Sequence, residues 1–321
     1  MTTKMIQITV FALLLVVSGA ASADEGPRQN SVVTEGADAK DKTANMALVS
    51  KTVTLANEVD LQYVEHGDST GVPVILLHGV TDSWHSYELV LPHLPKSIRA
   101  FALSQRGHGD SERPLTGYHP HDFAADVAAF MEALNIERAV IVGHSMGSYV
   151  AQCFAMNYPE RASGLVLVGS FKTLKGDQGI QEFWETGIAP LQDPIAPEFA
   201  REFQKSTLAL PVPPEFLDTV VQESLKVPAR VWQAAFKGLM ESDLSGDLDK
   251  IKAPTLIVWG DKDAYFLRDQ QDALAAGISG SKLVIYSGVG HGVHWEAPKR
   301  FADDLLFFIE SLAKPEYGAL R

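Results

Sequence analysis

With one cysteine, Cys153, in 321 residues, the chain cannot close an internal disulfide, so its fold must rest on a packed core. Basic residues are also scarce. Lys and Arg number 27 against 40 Asp and Glu, a net charge of −13. So acidic a chain has no electrostatic reason to bind nucleic acid or an anionic membrane surface, and solubility alone accounts for the balance. Long apolar runs are missing as well: the run near the N-terminus, "VFALLLVV" (Val10 to Val17), falls well short of the roughly 20 residues a spanning helix needs. No Gly-x-Gly-x-x-Gly fingerprint, P-loop or clustered metal-ligand spacing occurs, so no cofactor and no metal are expected.

The same apolar run, preceded by Lys4 and followed by Ala21-Ser22-Ala23 and then Asp24, has the pattern of a secretory signal peptide. Residues 1–23 are expected to be removed, leaving an exported protein, periplasmic or secreted, without stable membrane insertion. A lone thiol suits an oxidising compartment, and Cys153 reads as a small core residue of a helix. Residues 24–50 are small and polar with no hydrophobic period, and read as a flexible lead.

Beyond the lead, β-rich runs alternate with helical periods. "VDLQYVEHG", "VPVILLHG", "SIRAFALS", "RAVIVG", "GLVLVGS", "PTLIVWG" and "SKLVIYSG" are short strands, mostly closed by Gly or Ser. In "HDFAADVAAFMEALN" the residues Phe123, Val127, Phe130, Met131 and Leu134 form one apolar stripe, and Phe301, Leu305, Phe308, Ile309 and Leu312 form another. This alternation predicts an α/β fold with a mostly parallel, doubly wound sheet spanning residues 51–170 and 251–315. Residues 171–250 break it: they carry prolines and aromatics but no convincing strand, and read as a helical insertion.

"AVIVGHSMGSYVAQCF" places a serine at the corner between a strand and a helix. Gly143 and Gly147 permit the sharp turn, and the corner exposes the Ser145 hydroxyl beside backbone N–H groups at a helix start. A serine hydroxyl needs a base within hydrogen-bond reach and a carboxylate to orient that base. Asp263, after "PTLIVWG", and His291, after "KLVIYSG", follow Ser145 in the order Ser, Asp, His. Both fall at strand C-terminal ends, where ligands gather in open α/β sheets.

Taken together, "LLHGV", "RGHGDS", "GHSMG", "WGDKD" and "GVGH" resemble, in order, the motifs of α/β-hydrolase fold enzymes of the esterase, lactonase and C–C hydrolase type. Ser104 stands where many relatives carry an aspartate. The resemblance implies an α/β-hydrolase core with residues 171–250 as a cap. It also implies Asp263 rather than Asp261 as the acid and His291 rather than His294 as the base. The oxyanion donors would be the N–H groups of Val80 and Met146. His78, His144 and His108 read as structural residues of their loops.

The expected function is hydrolysis of a small apolar carboxylic ester or lactone through an acyl-enzyme, on a small-molecule substrate. C–C bond hydrolysis next to a carbonyl is the alternative, and a small-molecule receptor on the same fold is the alternative of another class. Epoxide and haloalkane hydrolysis fit less well. The elbow carries Ser145 rather than an aspartate, and no tyrosine lies between Phe171 and Lys250. Trp184, Trp232 and Phe236 are the candidates for an apolar substrate pocket under the cap. The sequence leaves the oligomeric state open.

Overall fold

Valine, isoleucine and leucine runs that have no polar face become the strands of one buried sheet. A computed structural model describes residues 48–313; the expected signal peptide and nearly all of the expected lead lie outside them. The strands are β1 (Ser50–Thr54), β2 (Asp60–His66), β3 (Val72–Leu77), β4 (Ile98–Leu103), β5 (Ala139–His144), β6 (Ala162–Val168), β7 (Thr255–Gly260) and β8 (Lys282–Tyr286). They form a single eight-stranded sheet in the order β1-β2-β4-β3-β5-β6-β7-β8. The β1–β2 and β2–β4 pairs are antiparallel, and every other pair is parallel.

Strands β5 and β7 are buried at every position, as a parallel strand covered on both faces must be. Strand β1 is absent from the sequence reading for the opposite reason. Its residues "SKTVT" are mostly exposed and carry no apolar run, so pairing with β2, from Ser50 opposite Val64 to Thr54 opposite Asp60, is what makes it a strand.

The helices are α1 (Pro120–Ala133), α2 (Met146–Asn157), α3 (Gln178–Phe183), α4 (Pro197–Ser206), α5 (Pro214–Lys226), α6 (Ala229–Glu241), α7 (Arg268–Gly277), α8 (Val293–Glu296) and α9 (Pro298–Leu312). Helix α1 starts on Pro120, and the Asp122 carboxylate accepts the His119 N–H at 2.9 Å, which satisfies one donor at the helix entry. Its predicted stripe is buried at Phe123, Val127, Phe130 and Met131, as is that of α9 at Phe301, Leu305, Phe308 and Ile309.

Residues 171–250 contain α3 to α6 and add no strand to the sheet. The two ends of the segment meet: Thr173 and Asp243 form an isolated bridge, and the Leu244 N–H donates to the Lys172 carbonyl at 3.2 Å. The segment therefore leaves the sheet after β6 and returns before β7 at nearly the same place. Its helices stand over the C-terminal ends of β3, β5, β7 and β8, to which the candidate site residues are attached.

Candidate active site

Ser145 sits between β5 and α2 with φ +52° and ψ −117°, a conformation that a side-chain-bearing residue adopts only under constraint. The two flanking glycines supply that constraint through close approach. A Cβ on Gly143 would lie 2.1 Å from the Gly147 carbonyl oxygen, and one on Gly147 would lie 2.3 Å from that of Leu77. The left-handed backbone thus falls on the serine itself, whose N–H donates to the Val168 carbonyl at 3.0 Å.

His291, in the loop after β8, is buried, and its Nδ1 lies 2.8 Å from Asp263 Oδ2. With Nδ1–H donating to the carboxylate, Nε2 is the basic nitrogen. The other carboxylate oxygen, Oδ1, accepts the N–H groups of Tyr265 at 2.8 Å and Phe266 at 3.0 Å, so backbone donors fix the Asp263 carboxylate. Gly169, with φ +50°, makes room for the imidazole: a Cβ there would stand 2.8 Å from His291 Nδ1. Ser145 and His291 line one cavity, together with Val80. The N–H groups of Val80 and Met146 donate to no protein acceptor among the described residues, so both remain available.

The loop from His78 to Ser83 is held from below. His78 Nε2 accepts the Gln105 N–H at 2.9 Å and Nδ1–H donates to the Gly79 carbonyl at 2.7 Å, which defines the tautomer. Burial holds His78 and His144 well below the usual histidine range. It pushes His108 down to about 4 and His294 down to about 3. Burial thus favours the neutral form of all four rings. His294 Nε2 pairs with Ser86 Oγ at 3.0 Å and His144 Nε2–H donates to the His291 carbonyl at 3.1 Å. Asp261, the rival acid, accepts Gly288 N–H at 2.7 Å and Ser287 Oγ–H at 3.0 Å in a surface turn, away from the imidazole.

The cavity wall is mainly apolar, with Phe171, Phe183, Phe203, Phe236, Leu239 and Phe266 among its residues. Phe236, one of the candidates from the sequence, stands on this wall. Trp232 does not, and this corrects the sequence reading. Trp232 is completely buried behind Phe203, with ring centroids 5.2 Å apart, and its Nε1–H donates to the Val227 carbonyl at 3.1 Å. Trp184 is also off the wall: Phe183 takes the cavity position, and the next residue of a helical turn is carried about 100° around the axis.

Polar residues that line the cavity and escaped the sequence reading include Asp82, Gln204 and Tyr265. Burial raises the Asp82 carboxyl from the usual carboxylate range to about 7, partly countered by a hydrogen bond from Gln204. Tyr265 brings a tyrosine to the cavity from the loop after β7, and its hydroxyl pairs with Ser206 Oγ at 2.5 Å. The end of α4 and the residues after it touch three loops of the site, those after β3, β7 and β8. Gln204 Nε2 donates to Asp82 Oδ1 at 2.8 Å, the Thr207 carbonyl accepts Gly292 N–H at 3.0 Å, and Leu210 N–H donates to Glu296 Oε2 at 2.8 Å. No sequence motif marks these contacts, because they join helix α4 to loops more than fifty residues away.

Comparison with known proteins agrees with this fold. A family model described as alpha/beta hydrolase fold matches residues 72–298. The chain is 29% identical over 280 residues to a non-heme chloroperoxidase of Streptomyces lividans, covering 81% of this chain and 99% of that one. It is 29% identical over 254 residues to a 2-hydroxymuconate semialdehyde hydrolase of Pseudomonas sp. strain CF600, covering 74% and 86%. Among solved structures, an esterase from Rhodococcus sp. ECU1013 superposes with a TM-score of 0.72 at 28% identity, covering 82% of this chain and 99% of that one.

Proposed function

Because the chain belongs to the alpha/beta hydrolase fold family and is a hydrolase of that superfamily, we propose that it cleaves a small apolar carboxylic ester or lactone through an acyl-enzyme on Ser145. One observation carries this reading. An Asp263-oriented imidazole, a serine on a strained corner and the unpaired Val80 N–H converge on one apolar cavity, and the unpaired Met146 N–H follows that serine directly in the chain.

His291 Nε2 takes the Ser145 Oγ proton as Oγ bonds to the carbonyl carbon. The carbonyl oxygen becomes an oxyanion beside the N–H groups of Val80 and Met146, donors that need no reorganisation when the charge forms. The intermediate collapses as His291 returns the proton to the departing alkoxide. Water, deprotonated by the same nitrogen, then releases the acid and frees Ser145. In a lactone the alkoxide stays attached to the acyl chain, and the product is a single hydroxy acid.

Export by removal of residues 1–23 belongs to the same proposal and rests on the sequence pattern alone. C–C bond hydrolysis would use the same elbow and histidine, and no residue of the site favours it over ester cleavage.

The test combines labelling with turnover. The purified protein should react with a serine-directed fluorophosphonate and hydrolyse 4-nitrophenyl esters over many turnovers. Ser145→Ala should remain folded, lose the label, and lose kcat by a factor on the order of 10⁶. Label or comparable turnover in the alanine variant would remove Ser145 from the nucleophile's role. Labelling with at most one slow round on every ester and lactone would favour the receptor reading instead.

A further inference from the structure

The apolar cavity has one polar corner, built from side chains that the ester chemistry above does not use. Asp82 and Gln204 are both buried and both line the cavity. Gln204 Nε2 uses its two protons on Asp82 Oδ1 and Ser224 Oγ, each at 2.8 Å, while its Oε1 accepts no hydrogen bond from any described residue. The Asp82 carboxyl faces two protein donors, Gln204 Nε2 and the Gly79 backbone, against about four acceptor sites on an ionised carboxyl. Its second oxygen, Oδ2, lies over Gly79, where a Cβ would meet it at 3.0 Å.

The polar hydrogens nearby are already committed. Thr207 Oγ1–H donates to the Gln204 carbonyl at 2.7 Å, and the Tyr265 and Ser206 hydroxyls pair with each other. The corner therefore offers acceptor capacity and lacks a donor. A buried polar group without its partner keeps the cost of its lost hydration, so a donor supplied by a ligand would be taken up strongly.

We propose that Asp82 and Gln204 recognise a hydroxyl group on the acyl part of the substrate, one or two carbons from the scissile carbonyl. The inference rests on the acyl-enzyme reading of the site. Position follows from the loop: Asp82 Oδ2 stands 3.0 Å from where a Cβ on Gly79 would lie, and Gly79 is bonded to the Val80 nitrogen, whose N–H would face the carbonyl oxygen, so the carboxyl lies within roughly 7 Å of that N–H. The hydroxyl is favoured over an ammonium group because it pairs with the carboxyl in either protonation state, donating to the carboxylate or accepting from the acid. Burial holds this carboxyl near neutrality, where both forms are populated, and a cation would require the ionised form alone.

The experiment compares 4-nitrophenyl butyrate with its 2-hydroxy and 3-hydroxy analogues and reads the ratio of kcat/KM for the better hydroxy ester to that for butyrate. The wild-type ratio should be tenfold or more. Asp82→Leu and Gln204→Met should each bring it to about one, whatever common loss they also cause, and Asp82→Asn, which keeps an acceptor, should retain part of it. A wild-type ratio near one overturns the proposal without any variant, so misfolding of Asp82→Leu cannot shield it. An unchanged ratio in a folded Gln204→Met or Asp82→Leu overturns it too, and would reduce the pair to a brace for the loop that carries Val80. Hydrolysis of butyrate with no preference would sink this inference alone. Absence of both turnover and fluorophosphonate labelling would sink the acyl-enzyme reading and this inference with it.

Discussion

Asp261 and Asp263 stand two positions apart in one loop, yet their surroundings give them different parts. Asp263 is buried, with backbone donors on one oxygen and the His291 imidazole on the other. Asp261 closes a surface turn against Ser287 and Gly288. Asp263→Asn should lower kcat by about 10⁴ with little change in melting temperature, since the shape survives while the charge that orients His291 is lost. Asp261→Asn should leave kcat within a few-fold. Kinetics on one ester with both variants decides the matter, and a reversed ranking would transfer the acid role to Asp261. At this scale the sequence was informative about placement where a residue's position is set by its own loop, as at Ser145, Asp263 and His291, which stand at or beside the cavity. It was silent on Gly169, which looks like an ordinary strand-ending glycine, and on Asp82. Their roles come from a neighbour more than a hundred positions away, an imidazole above Gly169 and an amide beside Asp82.

Among the elements, α6 shows why a helix can be recognised in a sequence before its faces can be assigned. Trp232 and Phe236 lie one turn apart, and both looked like pocket residues. How α4 and α6 dock decides between them: Phe203 fills the space in front of Trp232, while Phe236 stands clear at the cavity. Trp232→Ala should therefore cost about 3–5 kcal/mol of stability and leave the preference between a bulky aryl ester and an acetate of the same alcohol unchanged. Phe236→Ala should shift that preference towards the acetate by the equivalent of about 1–3 kcal/mol in kcat/KM. Melting curves beside the two rate constants check both expectations. A stable Trp232→Ala protein with altered preference would return the indole to the pocket.

For the whole molecule, the buried histidines set the response to acid. His78, His108, His144 and His294 are all held below the usual histidine range by burial. Unfolded, each takes up a proton as the pH falls through about 6.5, and folded, none does until far lower, so stability is greatest above that point and drains away in acid. Each contributes up to about 1.4 kcal/mol per pH unit over the interval. Asp82 acts in the other direction, because the folded chain keeps a proton up to about pH 7 that the unfolded chain gives up near 4. Its stabilisation is present in acid and is lost as the pH rises through that range. Four groups outweigh one, and the melting temperature should drop steeply between pH 6.5 and 4.5. A flat profile there would mean that the folded protein admits protons to these rings. The sheet was largely legible at this scale, since buried strands announce themselves by unbroken apolar runs. The exposed edge strand β1 was not, because pairing rather than burial makes it a strand.

The contacts that run from Gln204 to Leu210 bear on how such a protein can be recombined. This short stretch grips the loop after β3 through Asp82, the loop after β7 through Tyr265, and the histidine loop through Gly292 and Glu296. Residues 171–250 leave and rejoin the sheet at a narrow neck, which makes them look like an exchangeable module. They are not exchangeable on their own. A segment transplanted from a relative would arrive with contacts shaped for that relative's three loops. Chimeras should work only when the Gln204–Leu210 stretch and those loops are inherited from the same parent.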